Sequence, residues 1–557
     1  MLMTRLILFL SLASSHAAAP LWKASADQAL TALKDGGWKL DQIAGSESVR
    51  IHQSVKVPLR EHAHYRFSVQ LRAERPISKS VDFYLKTVVP PGAFRGTDID
   101  LGWVRTWAQN VGTNWTRFTL DFYPPAVLDS DGKPVEIEVR PTVQLRKPGP
   151  LLIGEHSFAP VPVTPSKKAG IAKLRKAISA NGAVDAPFSV LGGILPLSDG
   201  RLIALRDDFS KRFSTDGGRT WGTATKLAVD DPFDSLSGAI AMSNGDIGIW
   251  SVSWEKPIYF WRSSDDGETW SKRITMGPVG APYHGNCMIE LRPRVGEKVG
   301  RLVIGVRVAK NYHAGIYEPA GAYGTVHGRR IKVEGHGHDP ELVSSFAYYS
   351  DDGGRSWSRS EEDVFVWKDE GRGGMWLSDE PNVAELRDGR LVMFLRTTLG
   401  RIYQSFSHDR GHRWLIPEPT ILPTSISPCS LEALPKGDLL CVWNNVSRAE
   451  VSRGLRRARL CSAISKDNGR SWQHVRTLAA IGVEPLNQMA KLDEPAMTRA
   501  DKELGELPMP FGYLSYPDIT VHGGQVLVHY YMTFVRPSMS AGGRLFIRPL
   551  DWFYGND

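Results

Sequence analysis

Short runs of alternating apolar and polar residues, bounded by glycine, proline, aspartate or asparagine, fill most of this chain. Arg201-Leu202-Ile203-Ala204-Leu205 and Arg390-Leu391-Val392-Met393-Phe394 each follow an Asp-Gly pair, a pattern that predicts a hairpin turn leading into a half-buried strand. Nearer the start the same alternation marks Val49 to Val57, His64 to Leu71, Val81 to Val88, Thr116 to Phe122 and Val135 to Val143. Near the end it marks Tyr513 to Val521 and Gln525 to Tyr531. A short helical pattern near Ile171 to Ile178 follows the proline- and lysine-rich stretch Ala159 to Lys168, which has linker composition. The pattern predicts an all-β protein.

Five nearly identical octapeptides punctuate the strands from residue 214 on. They are Ser214 to Trp221, Ser263 to Trp270, Ser350 to Trp357, Ser407 to Trp414 and Ser465 to Trp472, each with aspartate third and glycine fifth. Asp-x-Gly is turn chemistry: the aspartate binds nearby amides and the glycine takes positive φ. Each tryptophan is a large apolar anchor. The tryptophans recur at intervals of 49, 87, 57 and 58 residues, so the second interval holds an insertion, placed at Ala309 to Leu342 with Tyr312, His313, His327, His336 and His338. A unit repeated at tens of residues predicts a propeller or another repeat fold. With a sixth, boxless unit at Phe511 to Leu550, six blades are expected, seven remaining open.

The chain has 557 residues, 42% hydrophobic and 17 of them Trp, enough for more than one core. Residues 1–19, with Arg5, the apolar Leu6 to Leu12 and Ala17-Ala18-Ala19, read as a signal peptide. A secreted or periplasmic protein is expected, without stable insertion in a membrane. Residues 20–160 are expected to form a β-sandwich, 161–185 a linker and 186–557 the propeller. The four cysteines lack metal-ligand spacing; Cys429 and Cys441 could pair, or all could be buried thiols. The formal net charge is +8, but no dense basic tract accompanies it. An acidic glycan is therefore a better partner than nucleic acid. No cofactor or metal is expected, and His336-Gly337-His338-Asp339 alone does not establish a cation site.

Gly37-Trp38, the strand from His64 and Leu151-Leu152-Ile153-Gly154 resemble jelly-roll carbohydrate-binding modules, in which Trp103, Trp107 or Trp115 could stack on sugar. The five boxes on a propeller resemble the sialidase (neuraminidase) superfamily over residues 186 to 552. That resemblance implies a sialidase-like six-bladed propeller and an exo-glycosidase acting on terminal sialic acid or a related acidic sugar. It implies arginines that clamp a carboxylate and a tyrosine nucleophile made basic by a glutamate.

By that resemblance Glu380, in Asp379-Glu380-Pro381-Asn382, activates the nucleophile, and Arg396, 16 residues later, binds carboxylate. Arg457, eight residues before Ser465, is the further arginine, with Arg453, Arg456 and Arg459 as neighbours that leave the register open. Tyr516 is the nucleophile, with Tyr513 in reserve. Asp207 or Asp208 is the acid and base. The chain departs from the family in its first blade, where Val190 stands in place of an arginine; Arg206 would supply the lost charge if its loop folds inward. Two other readings stay open: a lyase for uronate-containing polysaccharides, using His284 and the histidine-rich insertion, and a non-catalytic glycan binder.

Overall fold

In the computed structural model the described residues are 22–24, 30–34, 37–41, 49–58, 65–88, 104–122, 136–146, 149–162, 182–188, 191–252, 257–283, 285–297, 299–309, 323–326, 329–334, 343–367, 375–492, 511–536 and 539–556. Several expectations lie outside them: the signal peptide, the short helix, most of the linker, Val190, His284 and the histidines of the insertion. The described residues up to 162 form one compact unit and those from 182 onward another.

Two antiparallel sheets build the first unit. One orders Lys23–Ala24, Val49–His52, Glu136–Leu145, Ile77–Val88 and Val104–Val111, with Val55–Pro58 also on Glu136–Leu145. The other orders Leu30–Ala32, Trp38–Leu40, Leu151–Pro160, Tyr65–Ala73 and Thr116–Phe122. Alternation puts Phe67, Val69 and Leu71 in the core with Val81, Phe83 and Leu85, and Phe83 stacks on Phe118 at 4.6 Å. The expected strand Val49 to Val57 is divided at Gln53 and Ser54. Pro141 lies opposite the break, between Val139 paired with Val55 and Thr142 paired with His52, and has no N–H for the ladder.

Six antiparallel sheets follow one another in the second unit. Their first strands in sheets one to five are Leu191–Pro196, Ser235–Ala241, Ala281–Pro282 with Met288–Glu290, Asp379–Glu385 and Ser430–Ala433. Each is followed across its sheet by Leu202–Arg206, Ile247–Val252, Leu302–Ala309, Leu391–Arg396 and Leu439–Trp443 respectively. The sixth sheet orders Phe511–His522, Gln525–Arg536, Met539–Pro549 and the early strand Val184–Asp185. The last sheet thus takes its fourth strand from the beginning of the unit. A cavity of about 640 Å³ is lined from all six sheets, by Ile194, Ala239, Met288, Glu385, Glu432 and Thr520 among others. Part of the insertion forms strands Tyr323–Val326 and Arg329–Glu334, in a separate small sheet with Met375–Trp376 and Val366–Trp367.

Each box is a closed hydrogen-bonded turn. In the first, Ser214 Oγ donates to Asp216 Oδ1 at 2.8 Å and accepts from the Gly218 amide at 2.9 Å, while Asp216 accepts from the Thr220 amide and hydroxyl. The other four repeat the Ser–Asp and Ser–Gly bonds. In the fourth, Arg413 replaces the hydroxyl residue; its amide still binds Asp409, and its side chain turns to Glu361. The box glycines also fit the boxes against neighbouring sheets. A Cβ on Gly267 would approach Ile203 of the first sheet, on Gly354 Phe260 of the second, and on Gly411 Val303 of the third. For Gly218 in the first box the neighbours are Leu527, Leu545 and Ile547 of the last sheet.

Gly354 tests this packing most sharply. Its φ is +87° and a Cβ would lie 2.3 Å from Phe260 Cε1, a side chain with no exposed surface. Gly354→Ala should therefore destabilise the protein by about 2–4 kcal/mol through left-handed strain and overpacking, measured as a lower midpoint of chemical unfolding. An unchanged midpoint would show that the box does not bear on the neighbouring sheet.

Candidate functional site

Two tetrapeptides with one design lie in the innermost strands of the fourth and sixth sheets: Asp379-Glu380-Pro381-Asn382 and Ser515-Tyr516-Pro517-Asp518. The first residue of each pairs with the adjacent strand, Asp379 opposite Arg396 and Ser515 opposite Tyr531. The ladder then slips and resumes at the fourth residue, Asn382 opposite Phe394 and Asp518 opposite His529. Proline cannot donate to the ladder, so the strand opens there. The residue before it takes a left-handed conformation, φ 42° at Glu380 and 53° at Tyr516, uncommon for any non-glycine residue. Such bulges re-aim side chains. Here the two meet: the Tyr516 hydroxyl donates to Glu380 Oε1 at 3.1 Å.

Charged groups continue from that contact. Arg396 Nη1 donates to Glu380 Oε2 at 2.6 Å and lies 3.7 Å from Asp379 Oδ2. Arg307 Nε lies 3.2 Å from Asp379 Oδ1, and Asp379 also accepts the Glu380 amide at 2.8 Å. On the other side, the Arg457 guanidinium lies 5.6 Å from the centre of the Tyr516 ring, in cation–π range. It donates to Ser515 Oγ at 3.2 Å and to the Ile426 carbonyl at 3.0 Å, both neutral acceptors. Tyr283 stacks on Tyr516 with centroids 6.0 Å apart and donates to the Pro517 carbonyl at 2.7 Å.

The electrostatics follow from this order. Burial alone would raise the Glu380 carboxyl, but Arg396, with Arg307 and Arg457 behind it, brings it down to about 2. Arg396 is held protonated by Glu380 and Asp379 against the opposing effect of burial. The Tyr516 phenol is pushed up, first by the Glu380 charge and then by burial. Arg457 is lowered by burial and by the like charge of Arg396. Two more acids sit close by: burial pushes Asp518 up to about 7, and burial with Asp518 pushes Glu432 up to about 8.

Of the residues singled out from the sequence, Glu380, Arg396, Arg457 and Tyr516 are brought together. Arg459 instead binds Glu450 at 2.7 Å, Arg453 is exposed, and Tyr513 packs on Phe511 at 5.6 Å. Arg206, Asp207 and Asp208 form a separate group at the end of Leu202–Arg206. Arg206 Nε is 3.4 Å from Asp207 and 3.9 Å from Asp208, and Asp208 also binds Lys226 at 2.9 Å. Burial raises the Asp207 carboxyl against the pull of Arg206. Burial of Asp208 is outweighed by hydrogen bonds from Lys226 and Ser210, which lower it.

Sequence reading missed Arg307 and Asp379. A signal was present: Gly300-Arg301-Leu302 is followed at Arg307 by an arginine six residues after Arg301, as Gly389-Arg390-Leu391 is at Arg396. In the first unit, Trp115 is 44% exposed. Its ring lies against Gly154, where a Cβ would come within 3.0 Å, and Arg72 is 5.1 Å from its centre. All four cysteines are buried free thiols. Among the described residues no helix is long and apolar enough to cross a membrane.

The Tyr516–Glu380 contact makes a direct prediction. Replacing Glu380 by glutamine removes the charge that contributes most to raising the phenol, so the Tyr516 pKa should fall. Ultraviolet titration of phenolate, with Tyr516→Phe subtracted to isolate this ring among the tyrosines, reads the change. An unmoved titration would mean that Glu380 does not control the phenol.

Comparison with known proteins gives one family and several distant structures. The BNR repeat-like domain matches residues 246–529, just over half of the chain. No curated protein matches. A protein of unknown function from Dyadobacter fermentans is 17% identical, with a TM-score of 0.39 over 66% of this chain and 97% of that one. The NanB sialidase from Streptococcus pneumoniae is 11% identical, with a TM-score of 0.39 over 90% and 97%. The intramolecular trans-sialidase from Ruminococcus gnavus is 15% identical, with a TM-score of 0.39 over 65% and 94%. With boxes at Ser263, Ser350, Ser407 and Ser465 inside the matched span, the chain belongs to the BNR repeat-like domain family.

Proposed function

We propose that the protein is an exo-glycosidase of sialidase type, acting on a terminal sugar with a carboxylate on its anomeric carbon, as in sialic acids. The observation that carries this reading is the Tyr516 hydroxyl on the Glu380 carboxylate, bracketed by Arg396 and Arg457. An anionic nucleophile would be repelled by the substrate's own carboxylate, whereas a phenol reaches the anomeric carbon uncharged and gives up its proton during attack. In this scheme Arg396 and Arg457 hold the substrate carboxylate. Tyr516 Oη bonds to the anomeric carbon as the glycosidic carbon–oxygen bond breaks, and Glu380 takes the phenolic proton. Asp207 protonates the leaving oxygen and afterwards draws a proton from the water that releases the sugar. Burial favours a protonated Asp207, as an acid requires, while Lys226 and Ser210 favour ionised Asp208.

The architecture proposed with this activity is a six-bladed propeller, the six sheets being blades around the cavity that all of them line. The fourth strand lent to the last sheet by Val184–Asp185 supports that closure. The first unit is proposed as a jelly-roll-like sandwich, and residues 1–19 as a signal that exports the protein to the periplasm or medium.

Release of a fluorophore from a sialoside tests the activity. Wild-type protein should turn it over, and Tyr516→Phe should lower kcat by about 10³-fold or more without unfolding the protein. Equal rates in the two proteins would remove Tyr516 from the chemistry. A rise in ultraviolet absorbance on uronate-containing polysaccharide, with sialosides untouched, would identify a lyase instead.

A further inference from the structure

We propose that the first unit carries a binding site of its own for an acidic sugar, built around Trp115 and Arg72. The inference stands apart from the proposed activity. Its place is a cavity of about 550 Å³ on the sheet containing Tyr65–Ala73, lined wholly by residues of the first unit and within the size range of small-ligand pockets. Alternation along Tyr65–Ala73 buries Val69 and Leu71 and turns Gln70 and Arg72 to the other face. The ladder sets Arg117 opposite Gln70 and Leu152 opposite Arg72. Between Ile153 and His156 the pairing of Leu151–Pro160 slips, and Glu155, freed there, meets Arg117 at 2.9 Å.

The same slip makes room for the indole. Gly154 lies in it, and a Cβ there would come within 3.0 Å of Trp115 Cζ3 and 3.2 Å of Cη2. The ring thus rests where a side chain is missing, with 44% of the residue's surface left exposed. An exposed aromatic in a polar-lined hollow is a platform for the apolar face of a sugar ring. The Arg72 guanidinium lies 5.1 Å from the ring centre, and among the described residues it makes no hydrogen bond or ion pair. An arginine set against an aromatic keeps its N–H fork for a carboxylate. Arg117 is already engaged, by Glu155 and by Ser68 Oγ at 3.4 Å. Gln70 and Ser157 also line the cavity, and among the described residues their side chains make no hydrogen bond. The occupant that fits is a sugar stacked on Trp115, with its carboxylate on Arg72 and its hydroxyls on Gln70 and Ser157.

Affinity electrophoresis of the full chain tests this, in gels containing polygalacturonate, polysialic acid or dextran. All proteins carry Tyr516→Phe, so that turnover does not enter and failure of the proposed activity leaves the result unaffected. At least one acidic polymer should retard the protein, and dextran should not. Arg72→Met should weaken that retardation by roughly 10-fold or more in Kd. Trp115→Ala, which leaves the charge of the protein unchanged, should weaken it by a similar factor, which separates a built site from general attraction of a basic protein to a polyanion. Gly154→Ala, which pushes the indole out of its place but keeps it, should weaken it by about 3-fold or more and decides the matter if Trp115→Ala does not fold. Absence of retardation in both acidic gels, equal retardation by dextran, or acidic-gel retardation that Arg72→Met, Trp115→Ala and Gly154→Ala leave unchanged would overturn the inference.

Discussion

Arg396 is buried in the second strand of its sheet, and everything around it answers to that burial. Removing a guanidinium from water costs several kcal/mol unless carboxylates and hydrogen bonds replace the solvent. Here the innermost strand next to it supplies two successive carboxylates, Asp379 and Glu380. Two carboxylates in one place would repel each other and push one proton back on, so a second cation is required. Arg307 meets that need from the adjacent sheet. The charges therefore alternate along one path, Arg307, Asp379, Arg396, Glu380, and end on the neutral phenol of Tyr516. Removing Arg396 from the middle of the path takes a cation from both Asp379 and Glu380.

A regular strand could not present both Asp379 and Glu380 to that path, because successive side chains leave a sheet on opposite faces. The bulge resolves this by turning Glu380 through a left-handed conformation, and the Ser515 to Asp518 segment does the same for Tyr516. Left-handed backbone in a glutamate and a tyrosine costs about 1–3 kcal/mol each. The surroundings offset that cost by fixing the segments on both sides. Asn382 donates to the Cys429 carbonyl, Asp518 accepts the Asn286 amide, and Tyr283 donates to the Pro517 carbonyl. The ties come from neighbouring sheets, Cys429 from the fifth and Asn286 and Tyr283 from the third, so the strain at the two residues is held by the sheets' mutual packing.

That packing was the most legible part of the sequence. The boxes announce themselves by repetition, and their serine, aspartate and glycine make the bonds their chemistry implies. Strands framed by Asp-Gly turns were legible for the same local reason. Glu380, Arg396 and Tyr516 were named through the family resemblance, and the repeated turns supplied the register in which they could be matched to it. Arg457 could be narrowed to one of four arginines only by packing, since Arg453, Arg456, Arg457 and Arg459 share one hairpin and only the fold decides that Arg459 turns to Glu450. Arg307 was hidden for a different reason: an arginine within Leu302–Ala309 reads as the polar member of an alternating strand. Its meaning appears only when Arg301 to Arg307 is laid on Arg390 to Arg396. The paired bulges were also written in the sequence, as Glu-Pro-Asn and Tyr-Pro-Asp, but a proline in a strand signals irregularity without saying where the preceding side chain will point.

The resting charge arrangement also bears on how a carboxylate held near a pKa of about 2 could serve as a base. While Arg396 is bound to Glu380, the carboxylate has little affinity for a proton, and the phenol, raised by that same carboxylate, has little tendency to release one. The pair is locked in its neutral-phenol state. A ligand carboxylate that draws Arg396 and Arg457 toward itself weakens the interaction that lowers Glu380 and adds a negative charge beside it, so its proton affinity rises. Positive charge developing at the anomeric carbon meanwhile favours phenolate over phenol. On the proposed chemistry, therefore, the arginines do more than hold the substrate. By leaving Glu380 for the substrate Arg396 makes it basic, and proton transfer from Tyr516 becomes favourable only when the sugar is in place.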